Sequence, residues 1–210
     1  MIQSWLLKSE ILKQLIEFDQ QLFLQLNKEF THPFFDNIAP WWRDSNTWLP
    51  LYLFLLVFVF VNFGKNAWIW LVFVILTITL SDQVSSGIIK KYFERPRPCS
   101  DIDFQWNVRL LLKHCSGAFS FTSSHAANHF ALAVFLSKTL NEFIGKWNWV
   151  LYAWAASIGY AQIYVGVHYP FDVIGGTIVG LLIGFAVAKF YNTSIKIIAP
   201  LQLQPTKINI

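Results

Sequence analysis

The segment from Gln162 to Asp172 holds residue types suited to covalent chemistry. Within it, His168 is followed by Tyr-Pro-Phe and then by Asp172. Across a proline turn this carboxylate can return to the imidazole ring, fix its tautomer and stabilise the imidazolium. The other ring nitrogen is then free to attack phosphorus. The spacing therefore predicts a histidine nucleophile with an orienting carboxylate.

A second group of polar residues, Phe121-Thr122-Ser123-Ser124-His125, opens an apolar run. Its hydroxyl residues are typical helix N-caps, and a helix N-terminus presents free N–H groups and a positive dipole to an anion. His125 in the first turn is placed to give a proton to a departing alkoxide. His129 is more typical of a structural histidine, although the two histidines also have metal-ligand spacing.

Four cations, Lys90, Lys91, Arg95 and Arg97, lie close together at the end of another apolar run. Fixed cations hold phosphate oxygens, and the prolines beside Arg97 stiffen the chain. Lysine and arginine are also common at the ends of membrane helices, where their long side chains reach the interface. By itself the cluster leaves a phosphate site and ordinary interfacial residues both open.

The composition predicts that the elements carrying these residues lie in a membrane. Of 210 residues, 55% are hydrophobic and 13% are charged, and the mean hydropathy is +0.44. Ten tryptophans fit the headgroup level of a bilayer. The net charge of +4 does not by itself identify a partner. We expect the protein to associate with the lipid bilayer and not with nucleic acid. The first residues do not resemble a cleaved signal peptide.

Five uninterrupted apolar runs predict an all-α, polytopic transmembrane bundle, since each is near the length that crosses a bilayer. The runs are Trp48 to Phe63, Trp68 to Leu80 with an extension to Ile89, Ala126 to Leu140, Trp149 to Val167, and Val173 to Phe190. Gly176, Gly180 and Gly184 share one helical face beside Gly175, a pattern that indicates close helix packing. We expect the transmembrane domain to span residues 47–192.

Residues 1–46 form a separate segment by their pattern. From Trp5 to Leu26 apolar residues recur at helical spacing with charged residues between them, and these charges disfavour a spanning helix. The pattern favours an amphipathic helix in the membrane interface, with a helix of a soluble core as the alternative. We expect residues 193–210 to be a cytoplasmic tail.

Short loops predict the orientation. Two turns, the C-terminal tail and the adjoining helix ends share one side, which carries Lys65, Lys138, Lys146, Lys189, Lys196 and Lys207. By the positive-inside rule this side is cytoplasmic, and the loop 90–123 with its chemistry faces the periplasm or exterior of an inner or plasma membrane. Six basic residues in that loop oppose this assignment. Cys99 and Cys115 both lie in the loop, where they either form a disulfide or remain free thiols.

The three motifs together resemble the signature of the type 2 phosphatidic acid phosphatase family of membrane lipid phosphatases. The resemblance rests on Lys90 with Arg97-Pro98, on Ser123-Ser124-His125 and on Gly166-Val-His168-Tyr-Pro-Phe-Asp172, and with the matching helices it covers about Trp48 to Tyr191. It implies a metal-independent phosphatase with a helical bundle, no cofactor and a phosphohistidine intermediate. By this resemblance His168 is the nucleophile, Asp172 its partner, His125 the general acid, and Lys90, Arg97 and Ser123 bind phosphate.

Two positions depart from the family's pattern. Ser124 stands where the family usually has glycine, a tolerable change if its backbone N–H still reaches the phosphate. Gln162 stands where the family usually has arginine, so that a charge-assisted contact with phosphate is missing. Either Arg95 or Lys91 compensates for the lost charge, or the activity or substrate differs.

The sequence thus predicts a phosphatase acting on a lipid at the outer leaflet. Candidate substrates are undecaprenyl pyrophosphate, phosphatidic acid, phosphatidylglycerol phosphate and a lipid A phosphate. The alternatives are a lipid-linked phosphotransferase and a non-catalytic lipid-phosphate binding or transport protein. A metalloenzyme is disfavoured because Lys90 and Arg97 would repel a divalent cation. Its candidate metal ligands would be His125, His129, His168 and Asp172. The oligomeric state is left open.

Overall fold

A computed structural model describes residues 2–115, 117 and 119–194 of the protein. Its α-helices are α1 (Ile2–Leu24), α2 (Pro33–Trp42), α3 (Leu49–Phe63), α4 (Ala67–Asp82), α5 (Lys90–Phe93), α6 (Ser124–Thr139), α7 (Asn141–Ile144), α8 (Asn148–Tyr164) and α9 (Pro170–Ser194). No β-strand occurs in these ranges, which confirms the all-α prediction. The predicted tail lies outside the described residues from position 195 onward.

The five predicted apolar runs all form helices, but they do not all qualify as membrane spans by the same test. Two segments of the described chain are long and apolar enough to cross a bilayer, Ser45–Phe93, which contains α3 to α5, and Pro170–Ser194, which is α9. The shorter α6 and α8 lie between them in sequence and against them in space. The count of five spans therefore stays a prediction.

Helix α6 is the centre of the bundle and packs most closely against α9. A Cβ atom on Gly176, Gly180 or Gly184 would lie 2.3, 2.3 or 2.5 Å from a backbone carbonyl oxygen of α6 or of its N-cap residue Ser123. Only glycine permits this approach, so the predicted glycine face is the contact surface. The main core cluster surrounds it, with Phe135 and Ile158 fully buried. Apolar side chains such as Val61, which is 77% exposed, face outward.

The N-terminal segment packs against one end of this bundle. Phe23 of α1 is fully buried, and its ring lies 5.8 Å from that of Phe104 and 5.5 Å from that of Tyr169. The apolar residues Ile11 and Leu12 remain more than half exposed. Helix α1 thus has one face on the bundle and an apolar face outside it, as an amphipathic helix requires. Its position in the membrane interface remains a prediction.

Candidate active site

A tight turn between α8 and α9 carries His168 into the interior. Gly166 has φ +93°, and a Cβ there would lie 2.8 Å from the carbonyl oxygen of Arg109. Glycine is the residue that adopts this conformation without strain and allows the close approach. The backbone N–H of Leu111 also donates to the carbonyl of Val165 at 3.2 Å. The turn and the loop 90–123 together leave His168 1% exposed.

Both ring nitrogens of His168 have defined neighbours. Nε2 lies 3.1 Å from Nη1 of Arg97. Nδ1 lies 3.5 Å from Oδ2 of Asp172 and 3.4 Å from the Oγ of Ser120. A guanidinium only donates, so Nε2 accepts and the proton of the neutral ring is on Nδ1, facing Asp172. The lone pair that could attack phosphorus therefore faces Arg97.

Burial also keeps His168 uncharged. The residue lies in the loop between two helices, and its removal from water lowers its pKa to about 4, against the opposing effect of its contact with Asp172. Arg97 lowers the pKa further by repelling the imidazolium. At neutral pH the ring is therefore neutral, as a nucleophile must be.

Asp172 stands in the first turn of α9, fully buried, with several donors around it. Its carboxylate accepts hydrogen bonds from the backbone N–H of Tyr169 at 2.7 Å, from Nη1 of Arg95 at 2.9 Å and from the hydroxyl of Ser120. These donors fix the carboxylate beside the imidazole. Ser120 was not predicted from the sequence, because a single serine in a long loop carries no spacing signal.

Arg97 is the buried cation nearest the histidine. It is 7% exposed, and its Nη1 donates to the carbonyl of Val167 at 3.1 Å as well as to His168. Its Nε has no hydrogen-bond partner among the described residues. Burial lowers its pKa to about 10, and the positive charge of Arg43 contributes to this effect. Arg97 thus has an unused donor beside His168.

Lys90 follows an irregular stretch of backbone. Residues Gln83–Ile89 form a π-helical turn between α4 and α5, a distortion that often occurs at functional sites. Lys90 is half-buried after this turn and interacts electrostatically with Arg97 and Asp172. The hydroxyl of Ser124 is engaged by Ser86 of the turn at 2.7 Å. The side chain of Ser124 is therefore engaged within the protein.

The start of α6 holds the second motif. Ser123 is the N-cap and its Oγ accepts from the N–H of Ala126 at 3.4 Å, while its own N–H donates to the carbonyl of Asp172 at 2.8 Å. His125 is half-buried in the next turn, within electrostatic range of His168. His129 Nδ1 lies 2.8 Å from the carbonyl of His125. Among the described residues no group of three or more His, Cys, Asp or Glu side chains is placed to hold a metal ion.

Gln162 on α8 is fully buried and has a partner that was not predicted from the sequence. Its Oε1 accepts from the Nε of Arg43, at the end of α2, at 3.0 Å. Its Nε2 has no partner within the described residues. The two residues are 119 positions apart, so no local pattern relates them.

The two cations predicted to compensate for Gln162 lie in different surroundings. Arg95 forms ion pairs with Asp19 at 2.7 Å and with Asp172 at 2.9 Å, and it stacks over the ring of Tyr169 at 4.1 Å. Its guanidinium is therefore occupied by carboxylates. Lys91 is exposed on α5.

The structure also joins Cys99 to Cys115 in a disulfide, with the Cα atoms 5.8 Å apart.

Several known proteins are similar to this chain. The chain is 32% identical to the lipid A 4'-phosphatase of Porphyromonas gingivalis over 86% of this chain and 75% of the relative, and 33% identical to that of Bacteroides thetaiotaomicron over 90% and 82%. The crystal structure of Aquifex aeolicus LpxE matches with a TM-score of 0.61 and 28% identity, over 80% of this chain and 93% of that one. The family model of the PAP2 superfamily matches residues 67–196. The chain therefore belongs to the PAP2 superfamily.

Proposed function

We propose that this membrane phosphatase removes a phosphate from a lipid through a phosphohistidine intermediate. The observation that carries the proposal is the His168 ring, whose Nε2 faces the buried cation Arg97 while its Nδ1 faces Asp172. A phosphate bound by Lys90, Arg97 and the N-terminus of α6 would place phosphorus beside the Nε2 lone pair.

The reaction then has two displacements. His168 Nε2 forms a bond to phosphorus while the bond to the lipid oxygen breaks, and that oxygen takes a proton from His125. Asp172 stabilises the imidazolium that forms. A water molecule next attacks phosphorus, gives its proton to His125 and breaks the phosphorus–nitrogen bond. Phosphate leaves, and both histidines return to their starting states.

An apolar cavity supports a lipid as the substrate. It has a volume of about 680 Å³ and lies between α3, α4 and α6, with walls such as Leu53, Leu71 and Val74. Its polar end reaches His125 and Asn128. An acyl chain could enter such a cavity while its phosphorylated head group lies at the helix ends.

The polar end of the cavity favours a sugar-bearing head group. Asp82, Asn128 and His129 line it, and both Oδ1 of Asn128 and Nε2 of His129 lack partners in the described part of the chain. Nδ1 of His129 faces a carbonyl, so its Nε2 is an acceptor in the neutral ring. Acceptors of this kind suit the hydroxyl groups of a glycolipid. Two relatives are lipid A 4'-phosphatases, and we infer that a lipid A phosphate is the preferred substrate.

The test is phosphate release by the purified protein in detergent and chelator. The substrates are lipid A phosphate, phosphatidylglycerol phosphate, phosphatidic acid and undecaprenyl pyrophosphate. We expect the highest kcat/KM with lipid A phosphate and at least a roughly 10⁴-fold loss in His168→Ala. His114→Ala, which alters an exposed histidine of the outer loop, is the matched control and should retain activity. Acid-labile ³²P on the wild-type protein, and not on His168→Ala, would support the intermediate.

Other outcomes select the alternatives. A higher kcat/KM with undecaprenyl pyrophosphate would make that lipid, and not lipid A phosphate, the preferred substrate. Transfer of ³²P to an added lipid acceptor instead of water would make the protein a phosphotransferase. Equal phosphate release by wild type and His168→Ala would overturn the mechanism. Binding of the lipids without release would indicate a binding or transport protein.

We also propose that the site faces the periplasm or exterior. The turns at the opposite ends of the helices carry Lys65 and Lys146, in agreement with the positive-inside rule. A disulfide in the outer loop suits an oxidising compartment. After mild reduction, a membrane-impermeant maleimide should label Cys99 and Cys115 in intact cells that express the protein. Labelling only after permeabilisation would reverse the orientation.

A further inference from the structure

Arg43 and Arg97 are arginines without a carboxylate partner in the described part of the chain. Arg95 and Arg109 each form ion pairs shorter than 3 Å, whereas no carboxylate oxygen lies within 4.0 Å of Arg43 or Arg97 in the described ranges. Both unpaired guanidinium groups are removed from water, Arg97 almost fully and Arg43 in part. A cation so placed is costly unless an anion joins it.

The two unpaired arginines are close enough to repel each other. The charge of Arg43 contributes to the lowered pKa of Arg97, after the larger effect of burial. Arg43 also acts on His125 more strongly than the charges of His168 or Lys90 do. The backbone N–H of Val167, next to His168, donates to the carbonyl of Gln162 at 3.1 Å, so that Gln162 and the Arg43 guanidinium it binds lie beside the turn that carries His168.

Gln162 holds Arg43 in this position through one hydrogen bond. The other polar atoms of the two side chains can therefore still bind a ligand. The amide Oε1 accepts from the Nε of Arg43. The Nε2 of Gln162, although fully buried, has no partner among the residues that the structure describes. A buried amide donor without a partner costs free energy, so a ligand oxygen is its expected acceptor.

The backbone around Arg43 is held on α8 by aromatic residues. Trp42 donates from its indole N–H to the Oγ of Ser157 at 2.9 Å, and its carbonyl accepts from the indole of Trp48 at 2.9 Å. The two tryptophan rings pack edge to face with centroids 4.6 Å apart. These contacts hold the end of α2 against the helix that carries Gln162.

We propose that Arg43 is a catalytic phosphate-binding residue. The family's signature usually has an arginine where this chain has Gln162. Arg43, which comes from the N-terminal segment and binds Gln162, supplies the missing guanidinium charge. The proposal rests on the proposed phosphatase function. Arg43 would contact an oxygen of the transferring phosphoryl group. Arg95 is occupied by two carboxylates, and this geometry favours Arg43 over it as the compensating cation.

The first experiment compares Arg43 variants in the phosphate-release assay. Arg43→Ala should lower kcat/KM by about 10²- to 10³-fold, the usual effect of losing one donor to a transition-state oxyanion. Arg43→Lys should lose less, because it keeps the charge. Lys28→Ala, which removes an exposed cation from the same segment, should match wild type. Circular dichroism and gel filtration in detergent establish that each variant is folded.

The decisive variant moves the charge instead of removing it. In the Arg43→Ala background, Gln162→Arg restores a guanidinium from the position used by the family's signature, and we expect it to recover at least tenfold of the lost kcat/KM. A purely structural role for Arg43 predicts no recovery. An Arg43→Ala activity within threefold of wild type, or a loss that Gln162→Arg does not reverse, would overturn the proposal.

A binding measurement separates failure of this proposal from failure of the proposed function. Orthovanadate, a phosphate mimic, should bind the wild-type protein at least tenfold more tightly than Arg43→Ala in calorimetry. If the wild type releases no phosphate from any lipid but shows this difference, the phosphatase proposal fails and Arg43 remains an anion-binding residue. Equal vanadate affinity for both proteins would exclude Arg43 from the site.

Discussion

The helical bundle and the N-terminal segment both contribute to the site, but they are held together by different forces. Within the bundle, α9 approaches the backbone of α6 through three glycines. The N-terminal segment is joined to the bundle by aromatic packing of Phe23 and also by polar side-chain contacts: Asp19 with Arg95, Asn27 with the backbone of Tyr164, and Arg43 with Gln162.

The site residues of the bundle and the charge of Arg43 therefore have separate structural supports. His168 and Asp172 lie at the turn into α9, where the N–H of Tyr169, the hydroxyl of Ser120 and the guanidinium of Arg95 hold the Asp172 carboxylate. Arg43 lies in a segment that the PAP2 family model does not cover, since the match begins at residue 67, and Arg95 pairs with Asp19 of the same segment. Loss of the N-terminal contacts should therefore change charge and stability while the bundle keeps its fold.

The largest effect on stability should come from Asp19→Ala. Asp19 is fully buried, pairs with Arg95 at 2.7 Å and accepts from the N–H of Phe171 at 2.9 Å. Removing Asp19 takes away one of the two carboxylates that bind Arg95 and leaves the N–H of Phe171 without its acceptor, and breaking such a buried pair costs about 3 to 5 kcal/mol. We expect this loss in the free energy of unfolding, measured by denaturant titration in micelles. Glu17→Ala, two residues away on the exposed side, should cost less than about 1 kcal/mol.

A small effect of Asp19→Ala on stability would contradict the idea that polar contacts attach the N-terminal segment to the bundle. If the variant unfolds at the same denaturant concentration as Glu17→Ala, the Arg95 ion pair does not attach the segment. If it is destabilised but its remaining folded fraction has normal kcat/KM, the pair supports the fold and not the chemistry.

A smaller loss is expected from Gly180→Ala, which tests the support within the bundle. The added Cβ would lie 2.3 Å from the carbonyl oxygen of Ala127, so that α9 must move away from α6. Overpacking of this kind costs roughly 1 to 3 kcal/mol. Because the N–H of Ser123 donates to Asp172 across the same interface, kcat should fall as well. Leu182→Ala, on an outward face of α9, is the control; equal stability of the two variants would show that the glycine is dispensable.

The sequence predicted the bundle better than the surroundings of its site. Long apolar runs and the spacing of Gly176, Gly180 and Gly184 are local patterns, and the structure forms helices and a tight contact from them. The PAP2 resemblance is confirmed, and the structure brings His168, Asp172 and Arg97 together, although their roles remain proposals. These residues belong to motifs, and motifs are visible in a single sequence.

The contacts that the sequence did not predict are those between distant residues. Nothing near Arg43 relates it to Gln162, and nothing near Asp19 relates it to Arg95, because side-chain pairs across a fold leave no periodic signal. Arg95 was one of two cations that the sequence offered as a replacement for the missing charge, with a different activity or substrate as the alternative. Its ion pairs with Asp19 and Asp172 instead associate it with the carboxylate beside His168.

The smallest predicted effect is a pH dependence of the free energy of unfolding, which we assign to His168 of the bundle. The folded protein holds His168 with a pKa of about 4, whereas an unfolded histidine has a pKa of about 6.5. Between these values the unfolded state binds more protons, so the free energy of unfolding falls as the pH decreases. The loss from this residue reaches about 2 kcal/mol at pH 5. It is measured as the difference in unfolding free energy between pH 7.5 and pH 5.

His168→Asn isolates this contribution, because the variant keeps the other titrating groups and cannot gain the imidazolium. Wild type should lose about 2 kcal/mol more than His168→Asn between the two pH values. Equal losses would mean that His168 titrates alike in the folded and unfolded states, and that burial does not keep the nucleophile neutral. Adding Asp19→Ala to both proteins should leave the difference unchanged if the bundle alone positions His168; a reduced difference would show that the N-terminal segment also closes this site to water.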